Sequence, residues 1–336
     1  TGGTTKSDVM RFGRHHARFA IDVYEARFGI QYENGYMRET PWTYKGIILI
    51  APPGHGKTTF VSHYLGLDIF LNHKTQSMYV HAVDKEASKG MNYIARLFDR
   101  GDSSGRRARS LIHAPEIRKK NEKVFELSLP DRMRSGTITP AGVMSAVLGS
   151  DTNIQVVDDV VPATDVTEHT TREERSRVLA GTFTTRQRGK GAFRIVTGYI
   201  WHQDDAISNM LKRNVDAIKN GDRMYYVSIQ KTGGPKTNPP FYPLWPEEYP
   251  AQELRRRFVE MNANAALWSA NYEANPISDT ERIIRKLRYY NPLSPEHVEF
   301  TNSAVFHVSV DPTATNKESS DKAGMLDRKS GSAGMP

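Results

Sequence analysis

Residues 46–51 read Gly-Ile-Ile-Leu-Ile-Ala and run without a break into the nonapeptide APPGHGKTT at residues 51–59. A short apolar run closed by Pro and Gly predicts a strand buried on both faces, and residues 58–65 continue as a helix. Gly54 and Gly56 stand between them, where a missing Cβ lets the backbone turn in ways other residues resist. Strand, glycine loop and helix in that order belong to a parallel sheet covered by helices. The nonapeptide also fits G-x-x-x-x-G-K-[ST] at every position but the first, where Ala51 stands for Gly. In such a loop successive amides turn toward one anion, and the helix behind adds its positive end. Lys57 is then placed to bridge β- and γ-phosphates, and the Thr58 hydroxyl to ligate Mg²⁺. The stretch Pro53, Gly54, His55, Gly56, Lys57, Thr58 and Thr59 is the candidate nucleotide site, with ATP and Mg²⁺ as cofactors; phosphate binding does not itself require the His55 side chain. The competing reading is a glycine turn with a coincidental lysine, and the order of the flanking elements weighs against it.

A second feature complements the first. Residues 153–159, NIQVVDD, form an apolar run ending in two acids. A carboxylate at the C-terminal end of a strand faces the crevice where open α/β sheets bind ligands. Asp158 is therefore the candidate partner of Mg²⁺, and Asp159 the residue that orients or deprotonates an attacking water. Alone, the pair reads equally as a helix cap or loop; beside the glycine loop it reads as a site.

Further strands are predicted at 77–83, 123–129, 192–197 and 223–230, and helices at 14–28 and 84–98, the latter with Ala87, Met91, Ile94, Ala95 and Phe98 at helical spacing. Alternating strands and helices give an α/β chain with a mostly parallel sheet. Two turn-rich stretches break the rhythm, at 100–109 and 233–240, and the second leads into helices at 251–262 and 264–274. A new strand is predicted at 304–310. The domain plan is an N-terminal helical arm at 1–44 and a main domain at 45–275, with small-subdomain elements from about 233. A linker at 276–300 and a short start of another domain at 301–336 follow.

Composition narrows the chemistry. The 336 residues contain no Cys, which removes disulfide scaffolds, iron–sulfur clusters, thiol catalysis and thiolate zinc sites. Lys and Arg outnumber Asp and Glu 46 to 38, a net charge of +8 that suits a polyanionic partner. No apolar run approaches the length that crosses a bilayer. No secretory leader pattern opens the sequence, and Thr1 is read as an arbitrary boundary. An intracellular, soluble protein is expected.

Taken in order, these segments resemble the large terminase subunits of tailed bacteriophages, which package DNA into capsids. APPGHGKTT resembles that family's phosphate loop, and MYVHAV at 78–83 its second strand. FRIVTGYIWHQDD at 193–205 resembles the segment with the coupling motif. PLWPEE at 243–248 and WSANYEANP at 268–276 resemble the close of the motor domain. VSVDP at 308–312, with Ser320 and Asp321, resembles the opening of the nuclease. The resemblance implies an ASCE-type P-loop motor with a small helical subdomain, followed by the truncated start of an RNase H-like nuclease. It implies ATP-driven packaging of double-stranded DNA in the host cytoplasm. The implied partners are portal protein, procapsid and small terminase subunit. The chain would form a homo-oligomeric ring when assembled and a monomer in isolation. Thr197 would couple γ-phosphate to the DNA-gripping parts; otherwise it is a threonine satisfied by a turn.

The sequence departs from that family at three places. Asp158-Asp159 stands where Asp-Glu is usual. The loop lacks an Arg at Gly54 or His55, so transition-state charge would be neutralised from a neighbouring subunit, with Arg132, Arg134, Arg186 and Arg188 as candidates and Arg186 the one selected. Asp311 is the candidate nuclease metal ligand, joined at most by Asp321, so no DNA cleavage is expected of this chain.

The remaining features read as structure first. Trp201, His202 and Asp205 suit a hydrogen-bonded corner. Basic clusters at 106–109, 118–120, 186–190, 255–257 and 282–288 are solvated faces or DNA-backbone contacts. Arg255, Arg256 and Arg257 point three ways on a helix. Phe241, Tyr242, Trp245, Tyr249 and Trp268 are read as packing between the small subdomain and the main sheet. The alternatives to a packaging motor are a superfamily 2-like helicase and a nucleotide-binding scaffold without turnover.

Overall fold

The computed structural model describes residues 12–33, 36–40, 42–72, 74–99, 115–128, 136–145, 151–163, 169–189, 191–276, 305–310 and 325–330. These fall in two compact units. The larger holds everything described up to residue 276 apart from His169. The smaller unit's described strands pair antiparallel with each other, Val305–Val310 with Met325–Ser330. Asp311, Ser320 and Asp321 lie outside the described residues, as do Arg132, Arg134 and the basic stretches at 106–109 and 282–288.

In the larger unit, helix α1 (Arg14–Phe28) is followed by a hairpin of β1 (Ile30–Glu33) and β2 (Tyr36–Glu39). An eight-stranded sheet comprises β3 (Gly46–Ile50), β4 (Ser77–His81), β5 (Ile117–Asn121), β6 (Val124–Leu127), β7 (Ile138–Gly142), β8 (Ile154–Asp158), β9 (Phe193–Gly198) and β10 (Tyr225–Ile229). Its order is β10-β3-β9-β8-β4-β7-β6-β5. The run from β10 to β7 is parallel, and β6 and β5 turn back antiparallel at one edge. The helices are α2 (Lys57–Leu71), α3 (Asp84–Arg96), α4 (His169–Ala180), α5 (Thr182–Thr185), α6 (Ala206–Lys219), α7 (Ala251–Glu260) and α8 (Ala265–Tyr272).

Strand alternation sorts the core into two layers. Ile47, Leu49, Tyr79, Val156 and Ile195 face Phe19 and Val23 of α1, Phe60 and Leu65 of α2, and Met91 and Ile94 of α3. Ile48, Ile50, Val80, Val157 and Val196 face Leu179 of α4, Phe183 of α5, and Ile207 and Met210 of α6. Every residue of β3, β8 and β9 is buried, which is why these strands are mostly apolar; of the polar exceptions, Gln155 and Arg194 are hydrogen-bonded to each other at 2.9 Å. At about 1.5–3 kcal/mol for each large apolar side chain buried, the two layers make the parallel strands the stable heart of the molecule.

In this sheet two strands were not legible as such, and the β1–β2 hairpin stands inside the arm expected to be helical. β7 contains Pro140, and β5 is mostly exposed and basic, Arg118-Lys-Lys-Asn. Pro140 lies in a strand whose parallel partner is β4 and which meets β6 only at Phe125 opposite Ile138, so its missing N–H costs little.

Elsewhere the aromatic reading needs correction. Phe241, Leu254, Trp268 and Tyr272 form a small core of their own around α7 and α8, rather than a seam against the sheet, and Tyr242 is exposed.

Candidate phosphate and metal site

The C-terminal ends of β3, β9 and β8 bring the site together. In register, Leu49 lies opposite Thr197, and Thr197 opposite Asp158, so one row crosses three neighbouring strands. The loop after β3 turns through Gly54 (φ 76°) and Gly56 (φ 72°), left-handed conformations that favour glycine, and α2 starts at Lys57. A Cβ on Gly54 would collide with the Tyr249 hydroxyl.

Lys57 is buried, and its ammonium donates to the carbonyls of Ala51 (2.6 Å) and Pro52 (3.1 Å). It also stands 3.9 Å from the centre of the Tyr199 ring, a cation–π contact. Burial pulls its pKa down, and the nearby Asp159 and Asp158 pull it back up. Thr58 is exposed on the first turn of α2; Thr59 is half-buried, with its carbonyl 2.8 Å from Nδ1 of His63. The Pro53 carbonyl accepts from Nδ1 of His55 at 3.0 Å.

Asp158 is buried and tied by two hydroxyls. Thr197 donates to its Oδ1, and Tyr79 to its Oδ2 at 2.6 Å. The hydroxyl of Thr197 therefore goes across the strands to the acid and not to a local turn. Asp159, just past the strand, takes a left-handed φ of 45°, with its amide donating to the Thr197 carbonyl at 3.1 Å. Its Oδ1 is buried without a hydrogen-bond partner. Burial, then the charge of Asp158, push the Asp159 pKa up, while Lys57 opposes them.

Asp159 Oδ1 keeps its acceptor capacity for a water or an ion. Asp158, Asp159 and Thr58 are hard oxygen donors of the kind Mg²⁺ takes. Among the described residues no group of three or more His, Cys, Asp or Glu is poised to hold a metal alone.

The sequence-selected residues are not all gathered here. Arg186 ends α5, and its carbonyl accepts from the Thr152 amide at 2.9 Å, at the start of the strand that ends in Asp158. Six residues of strand, about 20 Å, separate those ends. Arg188 pairs with Asp151 at the same far margin. Within one chain neither reaches the loop. Asp205 does form the expected corner, accepting from the amides of Trp201, His202 and Ser208 and capping α6.

Of the loop's surroundings, sequence reading named Trp245 and Tyr249, as packing of the small subdomain, and Arg257, in a basic cluster, and passed over the rest. His15 of α1 donates from Nε2 to the His55 carbonyl at 3.0 Å. The His15, His16 and Trp245 rings pack together, with centroids 3.8–5.1 Å apart. His55 stacks on Tyr249 at 4.7 Å, and Tyr249 donates to the Gly54 carbonyl at 3.3 Å. Arg257 lies 4.5 Å from the Tyr249 ring and pairs with Glu253, so it leans toward the loop and is only partly a solvated residue. Burial lowers the pKa of both His15 and His55 to about 4. The one signal in the sequence was the placing of His55 inside the loop.

No protein-family model matches the chain, and no curated protein matches it in sequence. Among solved structures it is similar to the crystal structure of the large terminase of bacteriophage HK97, with a TM-score of 0.50 and 14% identity. The match covers 93% of this chain and 60% of that one, so the chain spans less than two thirds of the terminase it resembles. At this identity the likeness is one of fold, and the fold is terminase-like.

Proposed function

We propose that this chain, with its terminase-like fold, is an ATP hydrolase that drives double-stranded DNA into a viral procapsid. The observation that carries the reading is the row at the sheet's C-terminal edge. A glycine loop with a buried lysine and a strand ending in two acids flank one strand, whose Thr197 is hydrogen-bonded to the first acid. In this reading the main domain is an ASCE-type P-loop motor with a small helical subdomain. Amides of residues 53–59 hold the phosphates, and Lys57 bridges the β- and γ-phosphates. Thr58 and Asp158 hold Mg²⁺, which when bound neutralises charge on the phosphate oxygens. Asp159 orients the attacking water and accepts its proton. The buried, desolvated setting strengthens each of these charge interactions.

Thr197 links the Mg²⁺-side acid to the strand that adjoins the phosphate loop, the shortest route by which nucleotide state reaches the rest of the sheet. Arg186, placed away from its own loop, serves as an arginine finger only for a neighbouring subunit of a ring. Asp311 belongs to the metal site of a nuclease domain. The proposed partners are the portal, the procapsid and the small terminase subunit, in the host cytoplasm. Among the described residues no helix is long and apolar enough to cross a membrane.

The test is steady-state phosphate release from the full chain with Mg²⁺-ATP and linear duplex DNA. Turnover in wild type, and its loss in Lys57→Ala and Asp159→Ala, is the expected result. Strand separation by the wild type would favour the helicase, and nucleotide binding without turnover the scaffold.

A further inference from the structure

We propose that Tyr79 is a positioning residue for Asp158, holding its carboxylate in the orientation that receives the magnesium nucleotide. The proposal rests on the nucleotide reading above. Tyr79 lies in β4 opposite Val156 of β8, and side chains two apart share a sheet face, so Asp158 emerges on the same side as the Tyr79 ring. The phenol is buried and its hydroxyl donates to Asp158 Oδ2 at 2.6 Å. From the other neighbouring strand Thr197 donates to Oδ1. The two oxygens of Asp158 are thus held from opposite sides, and each keeps acceptor capacity for a further partner.

The phenol is itself held. On one side lies α3, approaching so closely that a Cβ at Gly90 would collide with the ring. Ser62 of α2, four residues after Thr58 and so on the same helical face, stands beside the Tyr79 hydroxyl without a well-formed hydrogen bond. The acid's second tether is therefore built into the core between the helix that carries Thr58 and the helix that carries Gly90. A phenylalanine would fill the same space, so packing alone does not explain the hydroxyl. Hydrogen bonds to a metal-binding carboxylate fix its direction, and removing one typically costs about 10–100-fold in metal affinity.

The experiment uses the full chain, a fluorescent non-hydrolysable ATP analogue, and paired titrations in Mg²⁺ and in EDTA. The readout is the Kd in EDTA divided by the Kd in Mg²⁺, alongside the melting temperature. Tyr79→Phe is expected to weaken binding in Mg²⁺ by roughly tenfold and to leave binding in EDTA unchanged. Gly90→Ala pushes on the ring from α3 and is expected to reduce the same ratio. Placing Tyr79→Phe in an Asp158→Asn background should add no further loss of the ratio. A purely structural role lowers the melting temperature, or weakens both titrations equally. An unchanged ratio, an equal loss with and without Mg²⁺, or failure of both single variants to fold overturns the proposal. Wild type that binds the analogue in neither condition refutes the nucleotide reading instead.

Discussion

Acid should loosen this protein through the histidines beside the glycine loop that follows β3, and the size of the effect follows from their burial. His15 and His55 are almost wholly removed from solvent, and their pKa values are lowered from 6.5 to about 4. A histidine whose folded pKa lies below its unfolded one binds more protons when unfolded. Its contribution is therefore complete above pH 6.5 and is lost as pH falls from there toward 4. For one such group the loss at pH 5 is about 2 kcal/mol, obtained by integrating the proton difference from neutrality. The two rings face each other with centroids 5.7 Å apart, so their losses are coupled and do not simply add. His16, Glu247, Lys57 and Arg257 act on the pair, and of these only the carboxylate favours the protonated form. The perturbation is His15→Gln, whose amide can still donate to the His55 carbonyl but does not titrate. Urea unfolding at pH 7, 6 and 5 should show a shallower decline for the variant, by about 2 kcal/mol at pH 5 after subtraction of its own value at pH 7. Parallel declines for variant and wild type would refute the reasoning, because the acid loss would then belong to other groups.

Other perturbations test separate parts of the molecule. Gly54→Ala forces a side chain into a left-handed position against Tyr249, and nucleotide binding by calorimetry should be lost while circular dichroism stays native. Phe19→Ala empties a fully buried site against Phe60 and His15, and chemical unfolding should show a loss of about 3–5 kcal/mol. Asp205→Ala removes the cap of α6 together with two loop hydrogen bonds; about 2 kcal/mol of stability should go, read as a lower melting temperature.

The parts legible in the sequence were those governed by local pattern. β3 is apolar throughout and β8 and β9 mostly so because both faces are covered, and α1 and α3 carry their buried residues at helical spacing. Gly54, Gly56, Lys57 and the acid pair could be singled out because their residue types and order are those a phosphate site needs, and the register brings the ends of their strands together. What escaped depends on contacts between distant segments. Nothing near Tyr79 announces Asp158, 79 positions away, and nothing near His15 announces the His55 carbonyl 40 positions away. Arg186 was singled out as a finger for a neighbouring subunit, and only the strand direction shows that it lies at the end of the sheet away from its own chain's loop. β7 was hidden by Pro140, and β5 by the Arg and Lys side chains that an edge strand tolerates.

Those same basic side chains have a bearing on self-association. A parallel sheet whose last strand were bare and apolar would invite a second molecule to add its own strand, amide to carbonyl. Here the margin belongs to an antiparallel turn-back whose outer strand offers Arg118, Lys119 and Lys120, all exposed. Like charges brought strand to strand repel, so copies crowded into one assembly are discouraged from zipping into a continuous ribbon. Any multimer would then be joined through helices and loops at this side, seams that can slide or open without unpicking a backbone ladder.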